Sequence, residues 1–173
     1  MLETMTVRVE IWPVAADQVS LWLLSGNQPW QSGPVMADNE PHAELEYILS
    51  EHGVLQDAML LHSTSWRVEG PSVILTYIAA ITVHDLIRAA WPGAAPINLE
   101  LAEVVGKPIP HTAIDAPTPR HIDVLLHGLR HIRFLQDTDS TNAGALDSLW
   151  RKYLAELSPA FATMYNDRDV RAT

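Results

Sequence analysis

Gly33-Pro34-Val35-Met36-Ala37-Asp38-Asn39-Glu40-Pro41-His42-Ala43-Glu44-Leu45-Glu46-Tyr47-Ile48-Leu49-Ser50-Glu51-His52-Gly53-Val54 is the stretch on which the fold turns. Asp38 or Asn39 offers an N-cap, and Pro41 takes about the first helical position, where its missing N–H costs nothing. A helix is therefore predicted from about 41 to 52. At roughly 100° per residue, Glu40, Glu44, Tyr47 and Glu51 project onto one face, and Leu45, Ile48, Leu49 and His52 lie together on another. Gly53 stands where a helix commonly ends in a left-handed conformation.

Strands are predicted on both sides of this helix. Thr6 to Val14 alternates Val7, Val9 and Ile11 with Arg8 and Glu10, the period of a half-buried strand. Pro13 limits its length or places that end at an edge. Val19 to Leu24 reads as a second strand, and Ser25-Gly26-Asn27-Gln28-Pro29 as a turn. After Gly53, Asp57 to Arg67 and Ser72 to Val83 flank Glu69-Gly70-Pro71, which predicts a hairpin.

A glycine, an acidic helix, a terminal Glu-x-Gly-apolar and then a strand make a layout that resembles the Nudix superfamily. Its box closes Arg-Glu-apolar-x-Glu-Glu-x-Gly-apolar. With Gly53 as anchor, Glu51, Gly53 and Val54 match, Glu46 and Tyr47 hold the Arg-Glu positions, and Ser50 replaces the first glutamate of the closing pair. The opening glycine falls on Ser32, beside Gly33, and the glutamate after it falls on Asp38. Residues 5 to 105 are covered, and the resemblance implies a Nudix-like α/β/α sandwich with a mixed sheet. In that family clustered carboxylates hold Mg2+ or Mn2+ against a diphosphate, because hard cations take several oxygen ligands. With Tyr47 and Ser50 where the family has glutamates, the expectation is a Nudix-like protein with a degraded metal-binding box. Such a protein is catalytically weak or inactive and binds a nucleotide, another phosphorylated small molecule or a protein. The alternative is a divalent-metal-dependent hydrolase of a nucleoside diphosphate linked to another moiety, with Glu44 and Glu51 as catalytic carboxylates and Glu40 as a third metal ligand. An acidic stripe on an amphipathic helix is also, more simply, its solvated side.

Composition bounds the partners. The chain has 173 residues, 47% of them hydrophobic, with a mean hydropathy of +0.02, which predicts one soluble globular domain over 1–173. No run reaches the roughly 20 apolar residues of a membrane span, and the N-terminus lacks a secretory leader, so a cytoplasmic location is expected. A net charge of −10, with Lys107 and Lys152 the only lysines, argues against nucleic acid as the partner. A phosphorylated small molecule held through a cation stays compatible with that charge. The absence of cysteine removes disulfides, thiolate metal sites and cysteine nucleophiles.

Prolines at 92, 96, 108, 110, 117 and 119 interrupt the chain after the hairpin, with a possible strand from Ile97 to Val105. Thr118 and Pro119 then cap a helix from about Arg120 to Gln136, and a last helix runs from Ser140–Asn142 to Ser158-Pro159. Together 118–158 form a helical cover for one side of the sheet. Trp150, Tyr153 and Phe161 either pack in that core or supply a homodimer interface.

Further residues carry candidate chemistry. Asp123, His127 and His131 share one helix edge, as a metal site or as a solvated polar face with ordinary pairing. Arg120, Arg130 and Arg133 are a thin case for a phosphate site. His62, Ser63 and Ser65 alternate along a strand and lack a nucleophile elbow, so a hydrolytic triad is not expected. Trp66 and Arg67 at the strand end, with Tyr47 on the helix, are the candidate ligand contacts. An indole stacks on a base and a guanidinium grips phosphate in two places; packing against the sheet and a rim charge are the plainer roles.

Overall fold

A computed structural model of the chain describes residues 5–35, 39–83, 87–102 and 120–161. Its sheet is built around β1 (Thr6–Ala16), which makes contact with three other strands. On one side β1 runs parallel to β5 (Ser72–Ile81) from Thr6 to Ala15. On the other it pairs antiparallel with β3 (Trp30–Gln31) through Glu10 and Ile11, and with β2 (Leu21–Leu23) through Val14 to Ala16. β4 (Ala58–Glu69) closes one edge as the antiparallel partner of β5, and the two residues β6 (Ala95–Pro96) close the other. Among the described residues the order is β4-β5-β1-β2-β6 with β3 on β1, a six-stranded mixed sheet. The predicted hairpin turn is present, and Gly70 at its tip has φ +56, a conformation open to glycine without a Cβ penalty.

Helices cover both faces. Val9, Ile11 and Ala15 of β1 join Ala79 and Ile81 of β5 on one face, under α1 (Pro41–Glu51) and the single turn α2 (Ile87–Ala90). Trp12, Val14 and Ala16 join Ile78 and Ala80 on the other face, under α3 (His121–Thr138) and α5 (Ser148–Leu154). α4 (Ser140–Ala145) links those two. Because both faces are covered, β1 is not half-buried as its alternation predicts: every residue from Val9 to Ala16 is buried.

Pro13 lies inside this central strand, not at an edge. Its carbonyl accepts Leu24 N–H at 2.9 Å, and N–H and C=O of one strand residue point the same way. Proline cannot return the bond that an N–H there would donate to the facing Leu24 carbonyl, so only half of that reciprocal pair forms and the registered β1–β2 pairing begins at Val14.

Three other expectations change. The second strand spans Leu21–Leu23 rather than Val19 to Leu24. Ile97 to Ala102 contains a 3-10 turn, Leu99–Leu101, started by Asn98, whose side chain accepts Glu100 N–H; the rest of the predicted strand lies outside the described residues. The last helix is two helices, because Leu146 is extended (φ −85, ψ 137) and Asp147 begins α5 by accepting Trp150 N–H at 2.9 Å. Trp150 and Tyr153 are core residues within this chain, and Tyr153 Oη donates to Asp17 O at 2.8 Å, tying α5 to the β1–β2 turn. Thr118 and Pro119 lie outside the described residues; at the visible start of α3 the Asp123 carboxylate accepts from the Arg120 backbone N–H. Among the described residues no helix is long and apolar enough to cross a membrane.

Candidate functional site

The helix that carries the predicted carboxylates forms as expected. Pro41 sits in its first turn, Leu45, Ile48 and Leu49 are buried, and Gly53 ends it at φ +71. The carbonyls of Ile48, Ser50 and Leu49 in its last turn accept from the N–H groups of His52, Gly53 and Val54 at 3.2, 2.9 and 2.9 Å. Of the two predicted N-caps, Asp38 lies outside the described residues and Asn39 is not the cap; that position is Glu40, whose side chain makes no capping bond.

Glu40 and Glu51 are exposed and Glu44 is partly buried. Glu44 and Glu51 are two turns apart, about 10 Å along the axis, whereas a divalent cation holds oxygens at about 2.1–2.6 Å. Among the described residues no three His, Asp or Glu side chains are grouped so that they could hold a metal ion. α1 therefore does not bring Glu40, Glu44 and Glu51 into one cluster. Glu46, at one of the family's basic positions, pairs with His42 at 3.3 Å on the exposed side.

Two of the predicted ligand contacts share this side of the sheet. Trp66 is registered with Leu75, which packs in the α1 core, so its indole leaves the sheet on that face; it is 58% exposed. Tyr47 on α1 is 59% exposed. At the end of α1, His52 stacks on Trp30 with ring centroids 3.7 Å apart and planes within 3°, and Trp91 lies 6.3 Å from Trp30. Burial against the indole pushes the His52 imidazole below its ordinary value, and the Glu51 charge only partly opposes this. On α2, the exposed Arg88 places its guanidinium 5.5 Å above the Trp22 ring. Neither pair was legible, since each joins residues far apart in sequence that only the sheet register brings together.

Arg67 lies on the opposite face. Its Nη1 and Nη2 reach the two Glu10 carboxylate oxygens, the second at 2.8 Å, and Nη1 also reaches Thr76 Oγ1 at 3.2 Å. Thr76 Oγ1 donates to Glu10 at 2.8 Å, Gln31 Nε2 donates to it at 3.3 Å, and Arg67 Nε meets Glu69 at 2.6 Å. Glu10 is fully buried and the Arg67 side chain is 13% exposed. Burial pulls the guanidinium down, but the hydrogen bonds and charge of Glu10, then Glu69, more than offset this and raise it. Arg67 is thus held inside an ion-pair network across the sheet from Glu44 and Glu51, rather than at a shared mouth with them. The alternation of β1 concealed this, because it assigns Glu10 to a solvated face.

The histidine edge of α3 is also internal. His127 and His131 are each only 6% exposed, while Asp123 is taken by Arg120 at 3.0 Å. The predicted solvated face is instead pressed on β4 and covered by residues 157–161, so the three residues do not converge as a metal site. Arg120 and Arg133 are paired with Asp123 and Asp137, and Arg130 Nε donates to Ser158 O at 3.0 Å, which leaves no open arginine cluster for phosphate. Gly128, at the position where a zinc protease carries its glutamate, lets α3 approach the sheet: a Cβ there falls 2.7 Å from Ile78 Cδ1. A surface depression of about 490 Å³ beside Ser20, Asn98, Lys152 and Tyr153 includes none of the predicted site residues. No protein-family model matches the chain, and no curated protein is similar to it.

Proposed function

We propose that this chain is a Nudix-like α/β/α domain with a helical C-terminal cover whose box helix no longer organises metal-dependent hydrolysis, and that it binds a nucleotide or another phosphorylated small molecule on the α1 side of its sheet. The observation that carries this is the layout of α1. Its carboxylates are spread over two turns with Tyr47 and Ser50 between them, and no three acidic or histidine side chains gather among the described residues. Without that cluster, the charge that builds on a diphosphate during attack by water is left unneutralised. What the same layer offers instead is ring surface: the exposed Trp66 and Tyr47, with the exposed cation Arg88 on α2. Base stacking on an aromatic side chain contributes about 1–3 kcal/mol per base and needs no metal.

Thermal unfolding with ADP-ribose as the probe, in chelator and then in Mn2+, tests this. The expected result is a rise in melting temperature in chelator that Trp66→Ala or Tyr47→Ala reduces and Glu51→Gln leaves intact. A rise that requires Mn2+ and disappears in Glu51→Gln supports the hydrolase instead, and no rise in either condition removes the nucleotide ligand.

A further inference from the structure

His131 is more than nine-tenths buried, and its Nδ1 has no hydrogen-bond partner. Its ring is boxed by three others: His62 of β4 at 5.5 Å, Phe134 of α3 at 6.1 Å and Phe161 at 6.3 Å, with Phe161 also edge-on to Phe134 at 5.1 Å. The chain from Ser158 to Phe161 crosses α3 at this place. Ala160 N–H donates to Arg130 O at 3.0 Å, Arg130 Nε donates to Ser158 O at 3.0 Å, and the His131 imidazole hydrogen-bonds the Ala160 backbone.

The charges around the imidazole are unfavourable to a proton. His62 faces it from β4 and His127 lies one turn back on α3, both against a proton, while the bond to the Ala160 backbone works the other way; Arg130 and Arg133 are on the same helix, the first bonded to Ser158 O and the second paired with Asp137. The Asp139 carboxylate, at the start of α4, acts on His62 in the opposite sense to burial. We propose that the His62–His131 contact, capped by Phe161, is an acid-sensitive latch that holds residues 158–161 on α3 and releases them when an imidazole is protonated.

The sign follows from linkage. Burial, then His62, pushes the His131 imidazole down to about 4 from an ordinary value of 6.5, and burial lowers His62 as well. The closed form, which holds neutral imidazoles, is fully favoured above the ordinary value. It loses ground as pH falls from there toward about 4, because the open form takes the proton first.

Hydrogen-exchange protection of the Ala160 amide, measured on the full chain from pH 7.5 to 4.5 and corrected for intrinsic exchange, tests the latch. One proton taken up on opening lowers protection by about tenfold per pH unit. The expected result is that loss at Ala160 while the Val9 and Ile78 amides stay protected, and its disappearance in His131→Phe, which keeps an apolar ring in the box. Should His131→Phe not fold, His62→Gln, which removes one of the two imidazoles, is expected to make the profile shallower. Protection at Ala160 that is independent of pH, that falls only together with the sheet amides, or that keeps its full pH dependence in the variant that folds would overturn the latch.

Discussion

Glu10 shows what one residue's surroundings do to its role. A carboxylate with no exposed surface persists in a sheet only when its lone pairs are met, and here Arg67, Thr76 and Gln31 meet them. Arg67→Ala leaves that charge buried and unpaired, so a loss of about 3–5 kcal/mol is expected in urea unfolding. The double variant Glu10→Leu with Arg67→Met removes both charges and is expected to recover most of it. Gly128 works by absence: Gly128→Ala brings a methyl 2.7 Å from Ile78 Cδ1 and 3.2 Å from Thr64 Oγ1, crowding that costs about 1–3 kcal/mol against about 1 kcal/mol gained in helix propensity, so a net loss of up to about 2 kcal/mol is expected in the same measurement. Neither residue was legible in this way. Glu10 alternates like a surface residue and Gly128 reads as a departure from a metal motif, because burial on a given face is set by what packs there and not by the strand or helix that carries the residue.

At the scale of elements, local chemistry predicts well wherever it acts alone. The Pro41 start and Gly53 end place α1 within a residue of its observed bounds, and Gly70 places the β4–β5 turn. The apolar stripe of α3 at helical spacing runs through Ile122, Leu125, Leu126, Leu129, Ile132 and Leu135; its middle four residues are buried and the two outer ones half-buried. What fails is the choice between competing signals. Leu146 continues the apolar spacing of a helix, yet Asp147 prefers to cap a new one, and the continuous helix breaks into α4 and α5. Asp147→Ala removes the side-chain acceptor for Trp150 N–H and is expected to cost about 1 kcal/mol, read as a lower thermal midpoint at unchanged sheet content. Pro13 misleads for a related reason: its missing donor argues for an edge, but its carbonyl still accepts Leu24 N–H, and a central strand tolerates it at the end of the short β2 pairing.

For the whole molecule, two helical layers divide the work. The α3–α5 side holds the Glu10–Arg67 network and the histidine box, and its polar groups are turned inward. The α1 side keeps Trp66, Tyr47, Glu44 and Glu51 at or near the surface. The central claim is that this second side binds a phosphorylated ligand but does not cleave it with a metal. Incubation of the purified chain with ADP-ribose and Mg2+ or Mn2+, followed by chromatography of the products, tests it most directly. Intact ADP-ribose at enzyme-stoichiometric concentrations over hours is the predicted result. Metal-dependent release of AMP that Glu51→Gln abolishes would contradict it.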